Sequence, residues 1–223
     1  MNILKKIRHG FGLHWAVLSF SRRPDDVRPI LHMFDHFLGL GGYQHMERIV
    51  GTNSRMKELM RDRVPLKRVT LAELDQLPEG SLGKAVAKHL IANHLDLDFY
   101  PNLKIKKDEH YVLHRIRAVH DALHVVTGFD TTRGGEVGIQ AFTMAQTGSP
   151  FSMFIVGGAI FFAPFKSVPQ FQVGNELFGW MDRIATGWNM GKNARFYLAY
   201  DWDRAWTAPI DKVREDLGIC PFS

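Results

Sequence analysis

HDALHVVTGFDTTRGGE, residues 120–136, is the stretch whose reading decides the fold. His120 and His124 stand four apart, so on an α-helix both imidazoles leave one face and can share one cation. Asp121 lies about 100° round the same helix, close enough to supply an oxygen or to orient a ring. The Gly-bearing run that follows ends the helix and turns the chain. Glu136 then opens a second apolar-periodic segment. A helix–loop–helix offering two imidazoles and two carboxylates suits a divalent metal of the zinc, iron or manganese type. A pair of surface or hydrogen-bonded histidines is the plainer alternative.

Outward from that stretch, the helical period is clear on both sides. Positions His110, His114, Arg117, Asp121 and His124 form a polar stripe, and Val112, Ile116, Val119, Leu123 and Val126 an apolar one. This spacing predicts one continuous helix over 108–127. Downstream, Glu136, Gln140, Thr143 and Thr147 form a second polar stripe on a helix over 136–147. The two stripes are expected to face one another across a polar cavity, with the metal at its loop end.

The remaining segments also read as helices. Residues 25–49 carry the apolar positions Ile30, Met33, Phe34 and Phe37, and Gly39, Gly41 and Gly42 mark an end. His32, Asp35 and His36 have i, i+3, i+4 spacing and form a weaker candidate metal site, with no later carboxylate tied to them. A charged segment over 53–75 is broken near Pro65, and Ser81 is placed to cap a helix over 82–94. Asp96 and Asp98, in the extended LDLDFYP run at 95–101, are candidate ligands whose plainer role is a solvated turn. The most apolar run, PFSMFIVGGAIFFAPF at 150–165, has thirteen residues between its outer prolines, whereas a spanning helix needs about 20. It reads as a core helix, and any exposed part would mark a membrane or partner surface. Gly157 and Gly158 would permit close backbone approach. Phe178, Met181, Ile184 and Trp188 predict a further apolar face, and 193–206 reads helical to Trp202 and Trp206. Strand patterning is absent, so the chain is expected to be all-α, a single-domain helical bundle over 1–223.

Composition narrows the function classes. A single cysteine, Cys220, excludes an internal disulfide and a cysteine-rich metal cluster, as suits a reducing compartment. The net charge of +5 is concentrated at the start: Lys5, Lys6, Arg8, Arg22 and Arg23 occur before the first acid, Asp25. Interleaved with Ile3, Leu4, Ile7, Phe11 and Trp15, they make residues 1–24 a basic amphipathic segment. It suits either an anionic membrane surface or packing on the core with the lysines in water. A transit peptide is a third reading. No basic cluster is sustained elsewhere, which argues against nucleic acid. No serine triad, phosphate-binding glycine loop or dinucleotide fingerprint occurs.

The motif His120-Asp121-x-x-His124, eleven residues and Glu136 resembles that of the coenzyme Q biosynthesis protein 4 family. LPEGSLGKAVAKHL at 77–90, YVLHRIRAVHDALHVVTGFD at 111–130, GEVGIQAFTMAQTGSP at 135–150 and ARFYLAYDWDRAW at 194–206 are also similar to it. The similarity is strongest to its shorter, bacterial-type branch; Thr143 stands where the mitochondrial branch often has a Glu. The resemblance implies zinc held by His120, Asp121, His124 and Glu136, with iron(II), manganese or magnesium as alternatives. It further implies a quinone precursor with a polyprenyl tail and the oxidative replacement of its ring carboxyl by a hydroxyl. Because zinc has no redox chemistry, either dioxygen attacks the ring while the metal polarises it, or the working metal is iron. Arg117 is then a candidate anion contact. A non-catalytic prenyl-lipid-binding scaffold for other quinone-biosynthesis proteins is the alternative, and a phosphohydrolase of the HD type a more distant one. A homodimer, peripherally bound to the cytoplasmic membrane surface, is the expected setting.

Overall fold

The computed structural model describes residues 3–22, 28–97, 103–162 and 173–223. Among them are thirteen α-helices and no strand. In chain order the helices are α1 (Ile3–Arg22), α2 (Arg28–Leu40), α3 (Tyr43–Val50), α4 (Ser54–Asp62), α5 (Leu71–Asp75), α6 (Leu82–Ala92) and α7 (Asp108–Ala118). They continue with α8 (His120–Thr127), α9 (Arg133–Thr147), α10 (Pro150–Phe162), α11 (Val173–Asn193), α12 (Trp202–Ala205) and α13 (Ile210–Leu217). The all-α expectation holds.

Local chemistry accounts for several boundaries. Ser81 accepts a hydrogen bond from the Lys84 amide and starts α6, as its sequence position suggests. Thr70 and Glu73 form a reciprocal capping box at α5. Asn53 starts α4 by accepting from the Met56 amide. The chain after α2 turns at Gly41, whose φ of +74° is left-handed, and α3 follows.

Four expectations need correction. The helix predicted over 108–127 is two, α7 and α8, separated at Val119, where φ is −110° and ψ is 5°. The polar stripe is divided with it: His110, at the other end, has its Nδ1 at 3.1 Å from the Lys104 carbonyl. On α11, Met181 and Trp188 lie largely on the surface, and the side chain of Phe178 is outside the described residues. Ile184 of that face does pack, against the cluster of Val137, Ala141 and Val156, and beside it α11 approaches α9 through small residues: a Cβ on Gly187 would lie 2.1 Å from the Gly138 carbonyl oxygen, so the helices there meet backbone to backbone. Gly157 makes no such approach, since a Cβ there would meet nothing within 4 Å. The segment 193–206 is a short 3-10 turn at 197–199 followed by α12, not one helix.

The core runs through most of the helices. Tyr43, Tyr111, Phe129, Phe142, Tyr197 and Trp202 are its largest fully buried side chains. The C-terminal segment closes it by satisfying polar groups left open by earlier helices. Leu82 and Gly83 at the start of α6 donate their amides to the Ala208 and Trp206 carbonyls at 2.9 Å each. Arg214 on α13 donates to the Val126 and Val125 carbonyls at 3.1 and 3.0 Å and so fixes the end of α8. In α10, Phe151, Ser152 and Val156 are buried, whereas Met153 and Ile160 are exposed, so the run is a core helix with one open flank. No helix among the described residues is long and apolar enough to cross a membrane.

Arg115 is one of the buried charged groups of this interior. It is buried on α7 and donates to the Leu198 carbonyl at 2.8 Å and the Tyr200 carbonyl at 3.3 Å, tying α7 to the C-terminal segment. Replacing it with Met keeps the apolar volume but strands two buried acceptors. Arg115→Met is expected to lower the stability by about 2–3 kcal/mol. Urea unfolding, read as a lower midpoint at unchanged slope, checks this.

Candidate metal centre

α8 begins at His120, so both histidines of the motif fall within its two turns and on one face. Gly128, at φ +78°, caps α8 and releases the chain into the loop 129–132. Asp130 Oδ1 accepts the Thr132 amide at 3.0 Å, and Thr132 Oγ1 in turn accepts the Gly135 amide at 3.2 Å as the cap of α9. The loop then lies so close to α9 that a Cβ on Gly135 would sit 2.1 Å from the Asp130 carbonyl oxygen. Only glycine fits there, and this tight return places Glu136, in the first turn of α9, against α8.

His124 Nε2 lies 3.1 Å from Glu136 Oε1, and His120 Nε2 lies 3.5 Å from Glu136 Oε2. Donor atoms of the three side chains all fall within 4.8 Å of one another. His124 Nδ1 is 3.0 Å from the Phe129 carbonyl oxygen. A carbonyl can only accept, so Nδ1 carries the proton and the Nε2 of neutral His124 presents a lone pair. That lone pair faces a carboxylate oxygen, acceptor against acceptor. A proton or a cation between them resolves the conflict, and a metal ligand histidine fixed through its other nitrogen is the usual arrangement.

The electrostatics follow from the same contacts. Burial alone would raise the Glu136 pKa, but the hydrogen bonds and charges of His120 and His124 hold it well below the usual carboxylate range. Burial would lower that of His120, yet the bond to Glu136 and the Asp121 charge outweigh it and raise it. His124 is buried, while the Glu136 side chain is 39% exposed and opens the site to solvent.

Asp121 is half-buried, and its charge is felt at His120 and at His89, but it does not join the three groups whose donor atoms cluster. Arg117 is buried one turn before α8, with its guanidinium 4.5 Å above the Phe34 ring. It lines a small pocket with Phe34, His120, Gln140, Ser149 and Ser152. Ser152 donates to Gln140 Oε1 at 2.7 Å across that pocket. Two members of the polar stripes, Arg117 and Gln140, thus do meet beside His120. Thr143 and Thr147 are instead buried, with Thr147 Oγ1 donating back to the Thr143 carbonyl at 2.7 Å.

One residue escaped the sequence reading. His89, on α6, stacks its ring on that of His124 with centroids 5.2 Å apart and an interplanar angle of 24°. Its Nε2 is buried without a hydrogen-bond partner, and burial, then the nearby His124, lowers its pKa. No local spacing relates it to the motif; only the packing of α6 on α8 does. Of the candidate ligands at 95–101, Asp98 lies outside the described residues.

An all-α chain whose helix–loop–helix converges two imidazoles and a carboxylate is a candidate helical metalloprotein. It belongs to the coenzyme Q (ubiquinone) biosynthesis protein Coq4 family, whose profile matches residues 36–223. A mitochondrial ubiquinone biosynthesis protein COQ4 homolog from Rattus norvegicus is 34% identical over 164 residues, 72% of this chain and 58% of the relative. The corresponding protein from Mus musculus is 35% identical over 165 residues, again 72% and 58%. The match thus spans less than two thirds of these relatives' length. A crystal structure from Nostoc punctiforme, provisionally assigned to ubiquinone biosynthesis, superposes with a TM-score of 0.82 at 25% identity. It covers 94% of this chain and 96% of its own.

Because His120 holds its proton to higher pH than a free imidazole, a cation must displace it. Zinc affinity, measured by chelator competition, is expected to fall about tenfold per pH unit as pH drops below the raised His120 pKa. Equal affinity at pH 8 and pH 6 would contradict binding at this site.

Proposed function

We propose that this chain acts in ubiquinone biosynthesis as a metal-dependent protein that removes the ring carboxyl of a polyprenylated aromatic acid and leaves a hydroxyl. The observation that carries the reading is the convergence of His120, His124 and Glu136, whose donor atoms lie within 4.8 Å of one another, supported by the family and by the pocket at His120. His120, His124 and Glu136 would hold the cation, with Asp121 as a fourth oxygen or as an orienting charge. Zinc fits the donor set, and so do iron(II), manganese and magnesium in decreasing agreement with two imidazoles. When bound, such a cation supplies Lewis acidity to a carboxylate or phenolate oxygen.

The chain's own groups complete the chemistry. Phe129 fixes the His124 tautomer. Arg117 offers a buried cation toward the pocket and is suited to the substrate's ring carboxylate, as its planar fork prefers. The overall change balances as ring carboxylic acid, water and dioxygen giving ring hydroxyl, carbon dioxide and hydrogen peroxide. The substrate is a prenylated 4-hydroxybenzoate-type acid, and the family's name supports that class of precursor. Metal-loaded protein is expected to release carbon dioxide from such an acid, and His124→Ala to reduce that release at least a hundredfold. Full release by the variant would refute the metal-centred mechanism. Lipid binding without release by the unmutated protein would favour the scaffold reading.

The setting we propose is the surface of an anionic membrane. On α1, Ile3, Leu4, Ile7, Phe11 and Trp15 are 49–73% exposed, while Leu13 and Ala16 turn toward the core. The apolar positions therefore are not spent on packing, and Lys5, Lys6 and Arg8 lie beside them. The open flank of α10, at Met153 and Ile160, is suited to a second copy of the chain or to other quinone-biosynthesis proteins. Reversing the charge of Lys5, Lys6 and Arg8 together is expected to weaken sedimentation with phosphatidylserine vesicles by at least tenfold, at about 1 kcal/mol per basic residue. Unchanged binding would contradict the membrane assignment.

A further inference from the structure

Two sets of polar side chains marked out by the sequence lie outside the motif. On α2, His32, Asp35 and His36 do not gather as ligands among the described residues: His36 Nδ1 stands 3.3 Å from His9 Nδ1 on α1, a direct contact of two rings. On α9, Gln140 does meet a pocket. It stands one turn after Glu136, so the two side chains leave the same face of the helix. Ser152 of α10 is buried and donates its hydroxyl to Gln140 Oε1 at 2.7 Å. Ser152 is itself held in place: its amide donates to Ser149 Oγ at 3.2 Å, and the Ser149 amide donates to Thr147 Oγ1 at 3.2 Å. A hydroxyl has one hydrogen to give, and the end of the amide that accepts it is the oxygen. Gln140 therefore commits its oxygen to α10 and leaves Nε2, with two N–H donors, on a side chain that lines the pocket.

Another part of the lining is cationic. The Arg117 guanidinium lies 4.5 Å above the Phe34 ring, which stacks on Phe151 with centroids 3.9 Å apart. A charged donor and a neutral donor beside one small pocket suit an anion with two oxygens, and a pocket of this size takes a carboxylate rather than a whole ring. Resting on the function proposed above, we propose that Gln140 is a specificity-determining residue, which donates through Nε2 to the ring carboxylate that Arg117 also meets. Ser152 is its positioning residue, because the hydroxyl decides which end of the amide faces the substrate. The assignment bears on turnover as well as on binding. The carboxylate is the group that the reaction removes, so the product leaves both donors without their acceptor and is held more weakly than the substrate.

Equilibrium dialysis of the full chain with zinc tests this, with two probes: geranylated 4-hydroxybenzoate, and the same ring bearing a carboxamide in place of the carboxylate. The unmutated protein should prefer the acid. Gln140→Glu keeps the size of the side chain and its bond from Ser152 but turns an acceptor to the pocket, so the acid-to-amide preference should fall at least tenfold. Gln140→Met, which removes the donor and adds no charge, should lower the same ratio several-fold and decides the matter if Gln140→Glu does not fold. In Ser152→Ala the amide is free to present either end, so acid binding should fall and carboxamide binding rise; a merely structural loss would lower both alike. An unchanged ratio in the Gln140 variants, or a preference of the unmutated protein for the carboxamide, would overturn the role of Gln140. Carbon dioxide release by the unmutated protein separates the two proposals. Release with an unchanged ratio overturns this role alone, whereas binding of neither probe overturns the function and this role together.

Discussion

A neutral imidazole that has given its one proton to a backbone carbonyl has nothing left to offer a carboxylate. His124, when neutral, is in that position: Nδ1 is committed to Phe129, and Nε2 meets Glu136 at 3.1 Å, so the contact is favourable once a second proton or a cation lies between them. The rest of the structure can be read as what it takes to hold that pair together. α8 is fixed at its end by Arg214 and by Gly128, the loop is drawn onto α9 over Gly135, and α9 is set by its backbone contact with α11 at Gly187. Such preorganisation costs stability unless something positive, a second proton on His124 or a cation, occupies the gap.

The surroundings of the three clustered groups are unequal, and the inequality gives the site a direction. On one side His89 stacks on His124 and closes the space with another ring. On the other, Arg117, Gln140, Ser149 and Ser152 line a pocket that reaches His120. A substrate acid approaching from that side would meet a buried guanidinium before it met the cation. Binding and chemistry would then be divided between α7 and α8, on either side of the break at Val119.

Much of this was legible in the residues. The four-residue spacing of the histidines, the Ser81 cap and the apolar stripe through Val112, Val119, Leu123 and Val126 are local signals, and local signals survive folding. The break at Val119 was not legible, because it involves neither proline nor glycine and valine is only mildly unfavourable in a helix. The α11 face was misread for a related reason. Periodicity marks large apolar side chains, but α11 uses its absence of side chains at Gly187 to approach α9. His89 and His9 reach their partners only through helix packing, so no window of sequence contains the relation. The amphipathic α1 shows the opposite limit: its pattern was plain, but which face it would leave in water was not, and the large apolar residues prove to be the exposed ones.

The most direct test is anomalous diffraction at the zinc edge from crystals of the zinc-loaded protein. If Glu136 and the two imidazoles form a cation site, a peak must lie within bonding distance, about 2.0–2.2 Å, of His120 Nε2, His124 Nε2 and a Glu136 oxygen. A crystal that takes up zinc but shows no peak among these three side chains, with Glu136 still in direct contact with His124, would contradict it.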